Sequence, residues 1–232
     1  MNTVKKTARI AGFLYLMYFV TTILAQVFAH LGFGDAAEIV NTMMAHEWLF
    51  RIGFIMNLLW ALFFLLAAWA LYVLLKPVNK NLAFLFLLLN LVGVAVECFS
   101  FLNLFAGMLL ISSVDYLKIF PADQLQALAM FFVNLYKNGH IIAQLFFGTW
   151  LFPLGYLVYK SGFLPKLLGI LLMADCVGVL IWFFQSFLFP GYEVITKPGL
   201  AVSFIAELGL TLWLLIMGAK EQKPLQLRSA DV

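Results

Sequence analysis

Six long apolar runs constrain this chain more than anything else in it: residues 10–29, 49–75, 82–111, 140–159, 164–189 and 199–217. A helix needs about 20 apolar residues to cross a hydrocarbon core of about 30 Å. Strands of a membrane barrel are about 10 residues long and alternate in polarity. These runs are longer and apolar on every side, so they read as helices. Composition agrees: 65% of the 232 residues are apolar, 11% are charged, and mean hydropathy is +1.02. That balance excludes a soluble globular domain, a disordered chain and a nucleic-acid binder. The expected fold is all-α: a polytopic membrane protein, a six-transmembrane-helix bundle forming one domain over residues 1–232.

The turns between the runs are legible. Lys76-Pro77-Val78-Asn79, Lys160-Ser161-Gly162 with Pro165, and Pro190-Gly191 interrupt the apolar pattern. Six crossings put both termini on one side. That side would carry Lys5, Lys6, Arg9, Lys76, Lys80, Lys160, Lys166, Lys220, Lys223 and Arg228, which is 10 of the 14 basic residues. The basic bias makes both termini cytoplasmic. The first run has a basic start like a signal peptide but is too long for one, so it reads as a retained helix. Two outer segments, 35–47 and 121–134, are patterned as short amphipathic helices. They would lie as caps at the interface, or act as lids over an outward-facing cavity. In the second of them Leu125, Leu128, Ala129 and Phe132 share a face. Trp48 reads as an interfacial anchor, and Trp60, Trp69, Trp150, Trp182 and Trp213 as packing inside the bundle.

Chemistry motifs are sparse. No metal-ligand spacing, phosphate loop or dinucleotide fingerprint occurs, so neither a metal nor a cofactor is expected. Cys98 and Cys176 both fall inside spans and read as packing thiols. The informative residues are the polar ones in the spans, because an ionisable side chain at mid-helix costs about 2.5–3.5 kcal/mol on insertion scales. At 1.5 Å per residue, Glu97 lies roughly 22 Å from the inner boundary, Glu207 roughly 12 Å below the outer one, and Asp175 near the midplane. Arg51 and His140 sit at the outer edge. Helical spacing aligns Asn90 with Glu97, His140 with Gln144, Asp175 with Trp182 and Ser186, and Ser203 with Glu207 and Thr211. The expected site is an outward-facing polar cavity lined by Arg51, Glu97, His140, Gln144 and Glu207, with Asp175 at its floor. Arg51 is expected to pair with Glu207 or Glu97. The opposing reading makes the same groups structural ties between helices.

The segments Lys6-Thr7-Ala8-Arg9-Ile10-Ala11-Gly12-Phe13-Leu14-Tyr15-Leu16, Leu49-Phe50-Arg51-Ile52-Gly53 and Leu71-Tyr72-Val73-Leu74-Leu75-Lys76-Pro77-Val78-Asn79 form a recognisable set. With them go the stretch from Trp150 to Gly169, which includes Pro153, Gly155, Gly162 and Pro165, and then Ala206-Glu207-Leu208 and Leu212-Trp213. Together they resemble the bacterial integral membrane proteins described as domain of unknown function 4386, over nearly the whole chain. The resemblance implies a single multi-span domain in a prokaryotic plasma membrane, and it implies no activity. Arg51 and Glu207 match the family's motifs. Asp175 departs from them, since the family tends to carry a small residue there, and His140 is peculiar to this sequence.

Three functions stay open. The most concrete is a small-solute or ion carrier or binding protein, whose ligand would be a solute, a cation or an amphiphile. At 232 residues the chain is short for a carrier, so that reading favours a homo-oligomer. The second is a non-catalytic sensor, immunity factor or accessory subunit. The third is an intramembrane lipid-modifying enzyme, which lacks a visible nucleophile–base pair. The balance leans away from an enzyme, and the lipid bilayer is the one partner the composition requires.

Overall fold

The computed structural model describes residues 3–31, 34–112 and 115–220. Lys223 and Arg228, counted above among the inner basic residues, lie outside the described residues. Seven α-helices follow in order among the described residues: α1 (Thr3–Ala29), α2 (Ala36–Ala45), α3 (Glu47–Leu75), α4 (Lys80–Ile111), α5 (Ala122–Lys160), α6 (Lys166–Leu188) and α7 (Lys197–Ile216). All but α2 are long and apolar enough to cross a membrane. Short 3-10 turns at Asp115–Leu117 and Glu193–Thr196 lie on the loops before α5 and α7.

The six long helices close into a ring. α4 packs on α5, α5 on α6, α6 on α7, α7 on α1, α1 on α3, and α3 back on α4. Their outward faces carry large exposed apolar side chains, among them Phe99, Phe152 and Phe204, as a lipid-facing surface requires. Trp69 belongs to this outer surface at 56% exposure and does not pack inside. Trp48 is 74% exposed at the start of α3, where an anchor would sit.

Glycines set the closest crossings. A methyl group on Gly155 of α5 would stand 2.7 Å from the Gly169 carbonyl of α6, and one on Gly12 of α1 would stand 2.5 Å from the Leu215 nitrogen of α7. Both crossings lie toward the end of the bundle that holds the termini. Small residues of this kind let membrane helices approach backbone to backbone. Pro153, beside Gly155, is buried and cannot donate to the Thr149 carbonyl.

The far end is closed differently. α2 opens with a capping box in which Asp35 accepts from the Glu38 backbone and Glu38 accepts from the Asp35 backbone. It buries Ile39, Val40 and Met43 against the bundle, so its apolar face meets protein. The segment 121–134 is not a separate cap. It forms the first turns of α5, whose 39 residues span about 58 Å. Its buried side is Ala129 and Val133, continued by Tyr136 farther along α5, and Leu128 is exposed. Gly107 of α4 explains the choice of face, because a methyl there would meet Ala129, Val133 and Met43 together within 3.8 Å.

Gly155→Leu is expected to lower stability by about 1–3 kcal/mol through overpacking, read as an earlier thermal transition in detergent. Gly191→Ala, with nothing within 4 Å of the added carbon, should leave the transition in place.

Candidate functional site

The ring encloses a chamber of about 360 Å³ in the half of the bundle away from the termini. Every long helix contributes: Tyr18 from α1, Trp60 from α3, Glu97 from α4, Gln144 from α5, Trp182 from α6 and Glu207 from α7. Beyond it, toward the far end, lies a vestibule of about 430 Å³ whose walls include Ile39 of α2, Lys137, Gln185 and Glu193. Leu31, Tyr136, His140 and Trp182 line both spaces and form the partition between them. The Tyr136 hydroxyl donates to the Leu31 carbonyl at 3.1 Å and accepts from the Asn57 amide at 3.3 Å, which pins one side of that partition. The His140 and Trp182 rings, 5.9 Å apart, make the other.

The chamber floor is aromatic. Phe64 stacks on Tyr18 at 4.6 Å and meets Trp150 and Phe147 at 5.1 Å each, and Trp60 lies 6.0 Å from Phe147. Phe147 nests against Gly93 of α4, where a methyl group would stand 2.5 Å from its ring.

Three polar relays stand on this frame. In the first, His140 Nδ1 lies 3.0 Å from Glu97 Oε2, and His140 Nε2 lies 3.0 Å from the Gln144 side-chain nitrogen. The amide N–H can only donate, so Nε2 accepts and Nδ1–H donates to the carboxylate. Glu97 is 1% exposed and has no other side-chain partner among the described residues. In the second, the buried Tyr15 hydroxyl donates to Glu207 Oε2. In the third, the Ser203 hydroxyl donates to Asp175 Oδ1, while Asp175 Oδ2 is buried without a hydrogen-bond partner. Asp175 stands behind Ser203 and outside the chamber lining, close enough to Glu207 to interact with it electrostatically. Among the described residues no three His, Cys, Asp or Glu side chains are grouped to hold a metal.

The structure brings Glu97, His140, Gln144 and Glu207 to one chamber, with Asp175 just behind its wall. It does not bring Arg51 there. Arg51 bonds Glu47 one turn earlier on α3, at 2.7 Å through Nη2 and 3.0 Å through Nε, and both side chains are exposed. The expected pairing of Arg51 with Glu207 or Glu97 is therefore overturned. An acid four residues away reaches an arginine at a helix start more cheaply than one deep in the bundle. Asn90, expected beside Glu97, is fully buried and its amide makes no hydrogen bond.

Sequence reasoning missed Tyr15, Tyr136 and Asn57. A signal existed for the first. Ala8, Ala11 and Tyr15 share a face of small, buried residues, and a tyrosine turned inward by such a face needs a partner for its hydroxyl.

Residues 10–218 match the family described as domain of unknown function (DUF4386). An uncharacterized protein of Archaeoglobus fulgidus is 33% identical over 151 residues, covering 65% of this chain and 74% of that protein. No solved structure matches the chain.

His140→Ala is expected to destabilise the fold by about 1–3 kcal/mol, because it leaves the Glu97 carboxylate buried without a donor. In a Glu97→Leu background the same change should cost less than half as much. Arg51→Ala should stay within about 1 kcal/mol, as exposed ion pairs do. Chemical denaturation in detergent, run as a double-mutant cycle, reads all three.

Proposed function

The chain belongs to the family described as domain of unknown function (DUF4386), and from that premise we propose that it binds a small solute or ion in the chamber, as a carrier or solute-binding membrane protein. The observation that supports this is the convergence of all six long helices on one polar-and-aromatic space next to an open vestibule. Groups that served only as ties between helices would be expected to pack against each other without leaving a volume of about 360 Å³ among them. Pockets of roughly 300–1,000 Å³ with a few convergent polar groups are the usual form of a small-molecule site.

In this reading the basic bias places the termini in the cytoplasm of a prokaryote and the vestibule on the outer face of its plasma membrane. A ligand would pass the vestibule, displace the partition of Leu31, Tyr136, His140 and Trp182, and meet Glu97 and Glu207. The Glu97–His140–Gln144 relay would orient it. The relay has the carboxylate–imidazole part of a hydrolytic triad, but its second ring nitrogen is capped by an amide and not by a hydroxyl or thiol, which favours binding over acyl or lipid chemistry.

The test is saturable binding or flux in proteoliposomes against a broad solute panel, comparing the native chain with Glu97→Gln and Glu207→Gln. The reading expects saturable signal for some member of the panel and a loss of about tenfold or more in each variant. Folded variants that match the native protein across the whole panel would make the carboxylates structural and end the proposal.

A further inference from the structure

We infer that the ligand of the chamber is an amphiphilic organic cation, and that it reaches the chamber sideways from the bilayer between α1 and α7. The inference rests on the binding reading above and adds the chemical class and the route.

Charge supplies the first argument. Glu97 and Glu207 line the chamber, and among the described residues neither lysine nor arginine does. At this end of the bundle Lys137 stands on the vestibule wall, bonded to the Gly34 carbonyl at 2.9 Å, and Arg51 is held by Glu47. The partners of the two carboxylates are neutral donors, a tyrosine hydroxyl for Glu207 and an imidazole whose Nε2 accepts from Gln144 for Glu97. Such donors leave a carboxyl group able to face a cation, and Asp175 stands as a third acid behind Ser203. An anion would enter this field at a penalty, and a cation would complete it.

The lining supplies the second. Tyr18, Trp60, Phe64, Phe147, Trp150 and Trp182 turn aromatic surface toward the space. Aromatic faces attract organic cations and also accept their apolar substituents. A hydrated inorganic ion would gain little from these walls, so the carboxylates and rings together select a cation that carries its own apolar surface.

The route follows from how α1 and α7 meet. Their close approach is at Gly12 and Leu215, near the terminal end. In the other half the facing residues are bulky. Ile23 and Val27 of α1 and Leu200 of α7 all line the chamber, yet they are 60%, 63% and 44% exposed on the outside of the bundle. A side chain can do both only at an opening in the wall. This window faces the bilayer, at whose headgroup–acyl boundary an amphiphilic cation concentrates.

The experiment uses two ions of the same shape and opposite charge, tetraphenylphosphonium and tetraphenylborate, titrated into the purified full chain in detergent and followed by tryptophan quenching and calorimetry. Saturable binding of the phosphonium, with the borate about tenfold weaker or more, is expected. Glu207→Gln, which keeps an oxygen for Tyr15, should weaken the phosphonium by about tenfold. Leu200→Trp should slow association from nanodisc lipid by a larger factor than it changes the affinity in detergent. Equal affinity for the two ions, or tighter borate, overturns the inference. Failure of both ions alongside saturable binding of a polar solute from the panel overturns the cation class and leaves the binding reading standing. An unaltered association rate in Leu200→Trp overturns the lateral route. If Glu207→Gln does not fold, the comparison of the two ions on the native chain still decides the class.

Discussion

Carboxylates inside a membrane bundle must be solvated by the protein itself, and the whole far half of this structure is organised by that requirement. Glu97 is 1% exposed and sits in a helix with no basic residue between Lys80 and Ile111 beyond its first position. Its donor has to come from another helix, and it comes from His140 of α5. Glu207 of α7 draws its donor from Tyr15 of α1, and Asp175 of α6 draws its donor from Ser203 of α7. Each bond crosses an interface between helices that neighbour each other in the ring. Removing the acids would therefore remove the polar ties at the α4–α5, α1–α7 and α6–α7 seams together.

Close glycine contacts between helices occur in both halves of the bundle. Near the termini, glycines at 12, 155 and 169 bring backbones almost into contact. Farther along, Gly178 meets Gly199, Gly53 meets Ala29 and Gly139 meets Ser100, while a cluster of five aromatic rings from α1, α3 and α5 occupies the interior. Close glycine contacts hold both halves, and around the chamber hydrogen bonds to carboxylates add to them. A chamber lined by buried acids is a costly arrangement for packing alone, and this is the physical core of the functional reading.

Much of this was legible before the fold was known. Length and hydropathy identify the long helices, because no other structure lets so many apolar residues satisfy their backbone. The polar positions Glu97, His140, Gln144, Asp175 and Glu207 stood out because each is costly where it stands. Their partners were less legible. Arg51 looked like the natural counter-ion, and the structure gives it to Glu47 instead, since local geometry outweighs long-range charge at a helix start. By hydropathy the fourth span starts at His140 and 121–134 is a separate segment, but α5 runs unbroken through residues 134–139. The Asn134 and Asn138 amides bond back to the carbonyls four residues earlier, and Gly139 lies against Ser100 of α4, so these polar residues stay helical. Polarity marks a loop only where the backbone lacks a better use for those side chains. Tyr15 was overlooked because a tyrosine in an apolar helix carries no cost that composition reveals.

The central claim is that the space among Tyr18, Trp60, Glu97, Trp182 and Glu207 is a ligand site. The most direct measurement is a high-resolution density map of the full chain in lipid nanodiscs with tetraphenylphosphonium present. The account predicts density for the cation inside the chamber, against the aromatic floor and within reach of Glu97 or Glu207. A chamber filled by rearranged side chains, with the cation found only in the surrounding lipid, would contradict it.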